Sequence, residues 1–172
     1  MLERLTDTAV QNAPKLILAA SVIALSGAYG SQIFGGLHPC VLCLYQRVPY
    51  ALVIALGLII LILEARGRSD LTQWILILAG AAFLVGGGIA LFHVGVEQHW
   101  WQGTEGCVGT SGATSVEELR AQIMASPVTR CDEIPWSLFG VSMAGYNVVA
   151  SLALAGFSFF AASRQEREQG LT

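Results

Sequence analysis

Four cysteines carry the chemistry open to this chain: Cys40, Cys43, Cys107 and Cys131. Two of them form a Cys-x-x-Cys pair within His38-Pro39-Cys40-Val41-Leu42-Cys43-Leu44-Tyr45-Gln46-Arg47-Val48-Pro49. Such a pair can ligate a metal, close a small disulfide ring or cycle between dithiol and disulfide. The pair stands where a polar turn gives way to a long apolar run, which places both sulfurs at the N-terminus of a helix. There the unsatisfied N–H groups and the positive end of the helix dipole favour a thiolate. Arg47 follows Cys43 by one helical turn, on the same face, and adds a fixed positive charge.

These features weigh redox exchange against two plainer roles. As a staple, a Cys-x-x-Cys ring constrains little chain compared with a Cys107–Cys131 bridge. As a zinc site, four thiolates have the right number of ligands. Structural sites, however, use two closely spaced knuckles, and Cys107 and Cys131 are far apart in sequence. No metal is expected. Four cysteines allow three pairings, and the residues alone leave the connectivity open.

The elements that must position these sulfurs are apolar helices. Of 172 residues, 54% are hydrophobic and 12% charged, with a mean hydropathy of +0.61. A soluble domain would carry about twice that charged fraction. Apolar runs over residues 16–34, 44–63, 71–92 and 141–162, uncharged except for Arg47 near the start of the second, are each long enough to cross a hydrocarbon core of ~30 Å at ~1.5 Å per residue. The first is longer than a signal-peptide core and lacks a following small-x-small site, so an uncleaved span is expected. The reading is a single all-α integral membrane domain, a bundle of four transmembrane helices. Gly86-Gly87-Gly88 in the third span suits close helix packing, and Pro49 is tolerated near the start of the second.

Residues 35–43 and 93–140 form the two loops that carry the cysteines. In the longer one, Ser115-Val116-Glu117-Glu118 fits a capping box. Val116, Leu119, Ile123 and Met124 follow at helical spacing, which predicts a short helix on the membrane surface, ended by Pro127. Arg4, Lys15, Arg66, Arg68, Arg164 and Arg167 lie in the termini and the middle loop; only Arg47, Arg120 and Arg130 lie on the other side. The positive-inside rule then makes both termini cytoplasmic and places all four cysteines outside, where thiols tend to be oxidised. Trp100, Trp101 and Trp136 suit the outer interface. No basic cluster or phosphate loop points to nucleic acid.

Two cysteine pairs in one oxidising compartment suggest an electron relay. Cys107 and Cys131, in the long loop, suit exchange with a protein. Cys40 and Cys43, at the bilayer surface, suit a lipid-soluble acceptor. A quinone takes two electrons, as a dithiol gives two, and needs a cation or donor at its oxygen, which Arg47 supplies.

At this point the chain resembles the DsbB family of disulfide bond formation proteins. The resemblance rests on Cys-Val-Leu-Cys-Leu-Tyr-Gln-Arg-Val-Pro-Tyr from Cys40, on the four spans, and on Cys131-Asp-Glu-Ile-Pro-Trp-Ser-Leu-Phe-Gly-Val-Ser-Met-Ala-Gly-Tyr-Asn. It implies an inner-membrane enzyme that reoxidises a periplasmic DsbA-like thiol oxidase and reduces ubiquinone or menaquinone. By position, Cys107 forms the mixed disulfide with the oxidase and Cys131 is its partner. Cys40 exchanges with that pair, and Cys43 faces the quinone beside Arg47. Disulfide exchange runs by thiolate attack, so the four sulfurs must meet in sequence. The resemblance also implies a quinone contact for His93, with Glu97 able to pair with it if the third helix continues. Gln46 and Tyr45 are pocket neighbours. The stretch Glu97-Gln-His-Trp-Trp-Gln-Gly departs from the better-known members, which leaves the identity of the partner oxidase open.

Overall fold

The computed structural model describes residues 2–68, 70–104, 107, 115–117, 120 and 129–169. It is an all-α membrane bundle, with four helices long and apolar enough to cross a bilayer. The short segment ahead of the first apolar run is itself helical: α1 spans Leu2–Gln11. Val10 of α1 is buried, and α1 packs on the second and last helices. Asn12 separates α1 from α2, Ala13–Gly35, which carries Pro14 in its first turn. A missing N–H costs no helical bond there. Gly36 ends α2 in the left-handed conformation at φ 64°, returning its N–H to the Ser31 carbonyl.

Helix α3 runs from Val41 to Ala65. It starts earlier than the expected residue 44 because Cys40 caps it. Pro49 is therefore inside the helix, not in its first turn. Proline has no N–H, so the Tyr45 carbonyl loses its usual helical donor. Helix α4, Thr72–Glu97, continues beyond the expected residue 92. His93 and Glu97 are thus helical residues one turn apart, not members of the outer loop. The last helix, α5, spans Met143–Gln169.

Helix α4 lies at the centre, packed chiefly on α5 and α3, while α2 covers α3. The shared core includes Ile17, Val53, Ile60, Leu76 and Phe83. Ile23, Ile33, Phe34 and Val149 are exposed on the outside, as residues facing lipid tails should be. Hydrocarbon gives no hydrophobic drive between such helices, so close contact must come from small residues. A side chain on Gly80 would collide with the Phe159 ring. Gly86 faces Pro49 and Ser151, and Gly87 faces Ser151 and Leu152. Gly88 points away, with open space around it.

A two-stranded hairpin precedes α5. Strands β1, Ser137–Leu138, and β2, Val141–Ser142, pair antiparallel. Phe139 at φ 50° and Gly140 at φ 79° make the two-residue turn, the positive-φ geometry that matches strand twist. Of the expected surface helix, only Ser115, Val116, Glu117 and Arg120 are described; Val116, Glu117 and Arg120 are helical and exposed. Leu119, Ile123, Met124 and Pro127 lie outside the described residues.

Candidate redox site

The site forms where α3 begins, α4 ends and the long loop returns to the bundle. Cys40 is the N-cap of α3, and its sulfur accepts the Cys43 N–H at 3.4 Å. The Cys40 thiol donates in turn to the Cys43 sulfur at 3.1 Å. This geometry assigns the two sulfurs different roles. Cys40 holds the proton and Cys43 is set to carry negative charge. The hydrogen bond to Cys43, and then burial, push the Cys40 thiol well above the ordinary thiol range.

The second pair comes to the first. Cys107 and Cys131 are both buried and pack with Cys40, Leu42 and Val96, with Cys43 and Phe92 at the edge of the cluster. The Cys131 N–H approaches the Cys107 carbonyl at 3.4 Å. The Cys131 sulfur meets the sulfurs of both Cys107 and Cys40, and burial, followed by the Cys107 contact, pushes its thiol up to about 11. Cys131 is therefore the sulfur between the pairs. Next to it Arg130 forks onto both oxygens of Asp132, at 2.9 and 2.6 Å, and this bond holds the Asp132 carboxyl down to about 2.

Two local features hold the start of the loop over this cluster. The Trp101 indole stacks on Phe92 with centroids 5.8 Å apart and donates to the Phe92 carbonyl at 3.0 Å. The ring covers Gly95, where a β-carbon would collide with it. The Thr104 carbonyl then accepts the Cys107 N–H at 2.7 Å, and the Thr104 hydroxyl meets the Cys107 sulfur at 3.3 Å.

His93, on α4, is buried at 4% exposure. Its Nε2 is 3.6 Å from the Cys40 sulfur and 3.8 Å from Glu97 Oε1. Its Nδ1 meets the Gln46 amide at 2.8 Å. A polar chain continues inward: Asn147 donates to Gln46 at 2.6 Å, and Tyr50 donates to the Asn147 oxygen at 2.6 Å. Ser151 joins both, at 3.1 Å from each. Gln46, from the sequence string, thus sits at the ring of His93. Tyr45 is exposed.

Arg47 is turned towards α2. It donates to Gln32 Oε1 at 3.1 Å and to the Ala28 carbonyl at 3.4 Å. Its guanidinium lies 4.5 Å from the centroid of the Tyr29 ring. A guanidinium has five N–H groups, so donors remain beyond these two bonds. Cys43, Gln46, Arg47, His93 and Asn147 line one cavity of about 410 Å³, whose apolar wall includes Ile23, Leu25 and Met143. Apolar walls with a few converging polar groups suit a small, flat, lipid-soluble molecule.

Sequence reasoning missed Ser142, Tyr50, Asn147 and Ser151. Ser142 accepts the Gly145 N–H at 3.1 Å and donates to Glu97 Oε2 at 2.5 Å. The signal for Ser142 was its place as a capping residue just before α5. The others are polar residues in apolar runs, which in a membrane face the bundle interior.

No solved structure matches the chain. A protein of Rickettsia prowazekii described as uncharacterised is 28% identical over 83% of this chain and 81% of its own. Two proteins named Disulfide bond formation protein B are similar as well. The one from Xylella fastidiosa Temecula1 is 27% identical over 81% of this chain and 82% of its own. The one from Methylococcus capsulatus is 28% identical over 78% of this chain and 82% of its own. The family described as Disulfide bond formation protein DsbB matches residues 11–161, and with its sulfur cluster at one end of a four-span bundle the chain belongs to the DsbB family.

Proposed function

We propose that this protein is an inner-membrane thiol:quinone oxidoreductase. It takes two electrons from a periplasmic DsbA-like dithiol oxidase and delivers them to ubiquinone or menaquinone in the bilayer, sustaining disulfide bond formation. The termini are cytoplasmic and the cysteine loops periplasmic, as the distribution of Lys and Arg requires. The observation that carries this reading is the packing of both cysteine pairs into one cluster, with Cys131 in contact with Cys107 and Cys40.

Exchange follows the order of the sulfurs. The partner's thiolate attacks Cys107 of an oxidised Cys107–Cys131 pair and releases Cys131 as thiolate. Cys131 attacks Cys40 of the Cys40–Cys43 disulfide, and Cys43 leaves as the thiolate. The helix N-terminus stabilises that leaving charge, as does Arg47. A second thiol of the partner resolves its bond to Cys107, and the freed Cys107 thiolate attacks Cys131, which restores the Cys107–Cys131 bond and releases Cys40. Quinone, when bound, accepts the electron pair. In this reading the quinone ring would lie in the cavity at Cys43, where Arg47 and Gln46 are available as donors and Ile23, Leu25 and Met143 form apolar wall.

Thiol trapping tests the reading. Reduced DsbA-like oxidase and quinone are supplied to the purified protein, and the state of each cysteine is captured by alkylation. Cys40 and Cys43 should alternate between dithiol and disulfide, and Cys43→Ser should abolish quinone reduction. Cysteines fixed in one state throughout would end the oxidase reading in favour of structural staples.

A further inference from the structure

Glu97 has no evident place in sulfur exchange, yet it is a carboxylate 7% exposed inside a membrane bundle. Among the described residues no Lys or Arg pairs with it. A buried acid without a cation is costly and, in a membrane, marks function. Its two oxygens have separate partners. Ser142 accepts from the Gly145 N–H, so its single hydroxyl proton points to Glu97 Oε2. That leaves Oε1 facing His93 Nε2, which in turn faces the Cys40 sulfur. The thiol and the carboxylate oxygen thus stand beside the same imidazole nitrogen, at 3.6 and 3.8 Å.

We propose that Glu97 is the positioning carboxylate of a proton relay, in which His93 Nε2 takes the Cys40 proton and Glu97, beside that same nitrogen, stabilises the imidazolium charge while Gln46 holds the ring. The inference rests on the reading of Cys40–Cys43 as the redox pair. The need for a base is plain from the site: burial and the Cys43 contact keep Cys40 protonated, and only a thiolate forms the new S–S bond. Cys40–SH gives its proton to His93 Nε2 and becomes Cys40–S⁻. The Cys40–Cys43 bond then forms. The pair has given up two electrons and the Cys40 proton; hydroquinone formation would draw that proton through His93 and a second from water, to which the Cys43 thiol had already lost its own. In the structure Gln46 Nε2 faces His93 Nδ1 and Gln46 Oε1 accepts from Asn147; for His93 Nε2 to act as base, Nδ1 must hold the other proton, and the Gln46 amide must rotate to turn its oxygen to the ring. Asn147 must rotate with it, turning its oxygen to Gln46 and its NH2 to the Tyr50 and Ser151 hydroxyls, which can accept as well as donate. The groups facing His93 are Cys40, Cys43 and Gln46 from α3, Glu97 on α4, and the Cys131 backbone carbonyl from the loop. Of the cations nearby, Arg47 is engaged with α2 and Arg130, next to Cys131, is forked onto Asp132.

Two measurements on the full-length, fully reduced protein in nanodiscs test this without quinone: the titration of His93 by ¹⁵N-histidine NMR, and the pH dependence of Cys40 alkylation read by mass spectrometry. Glu97→Gln keeps the Ser142 contact but removes the charge. It should move the His93 midpoint down by about one pH unit and slow Cys40 alkylation about ten-fold at neutral pH. Ser142→Ala removes the hydroxyl that helps hold buried Glu97 ionised, so the carboxylate loses part of its charge and the midpoint should also move down. If Glu97→Gln does not fold, Ser142→Ala carries the test alone. An unmoved midpoint in the variant measured overturns the relay. Wild-type protein that fails to reduce quinone, yet shows both shifts, counts against the proposed function and leaves the relay standing.

Discussion

The side-chain amides of Gln46 and Asn147 meet at 2.6 Å and join α3 to α5 directly behind His93. This contact links the sulfur end of the bundle to Tyr50 and Ser151 deeper in the span. It has no competitor in hydrocarbon, where an unmatched amide finds no water.

Breaking the contact should loosen the bundle. Asn147→Leu removes the partner of both Gln46 and Tyr50. Unfolding in mixed detergent micelles should show a loss of about 1 kcal/mol, the scale of interhelical hydrogen bonds in membranes. In a double-mutant cycle, the effects of Gln46→Leu and Asn147→Leu should be less than additive. Full additivity would mean the contact contributes nothing.

Arg47 should separate charge from shape. Its fork reaches Gln32 and Ala28 and lies on Tyr29. Arg47→Lys keeps the charge but loses the planar fork; Arg47→Ala loses both. Steady-state assays should give a raised quinone KM in both, about ten-fold or more for Ala and less for Lys, with the protein inserted normally. Unchanged quinone kinetics in Arg47→Ala would remove the residue from the site.

Cys131 should react slowly at neutral pH. Alkylation requires the thiolate, and burial pushes this thiol up to about 11. In the reduced, folded protein its rate should rise about ten-fold per pH unit through the range where an ordinary thiol has already levelled off. It should reach a plateau only near about 11. Denatured protein should level off near the ordinary value of 9.0. A plateau at the same pH in both states would show that the sulfur is not buried.

Gly86 should tolerate no side chain. A β-carbon there lies 3.2 Å from Pro49 Cβ. Gly86→Val should cost about 1–3 kcal/mol through overpacking, read as a lower melting temperature in detergent. Gly88→Ala, with open space around it, should leave stability nearly unchanged and serves as the control.

Much of this was legible from residue order. Hydropathy marked the spans, because a helix exposed to lipid must be apolar all round. The Cys40–Cys43 spacing and the i, i+4 spacing of His93 and Glu97 marked half of the site. The other half joins residues remote in sequence: Gln46 with Asn147, Tyr50 with Ser151, Glu97 with Ser142. No local periodicity reports such pairs; only the packing of α3, α4 and α5 does. The β1–β2 hairpin was missed because two-residue strands leave no alternation to read, although Phe139-Gly140 held its turn. The start of α3 was misplaced because a cysteine sulfur takes the capping role usually filled by a hydroxyl or carboxamide.

Pro49 gives α3 a mechanical character that its apolar sequence conceals. The bond absent between the Tyr45 carbonyl and Pro49 divides the helix into a short outer lever, bearing Cys43, Gln46 and Arg47, and a long inner shaft. The proline ring rests on Gly86 of α4, which makes that glycine the bearing of the joint. Tilting at this point moves Cys43 relative to Cys131 while the inner turns keep their hydrogen bonds. Cys131 already meets the Cys40 sulfur at the tip of this lever, so sulfur transfer between the two pairs calls on the two outer turns and not on the rest of the bundle.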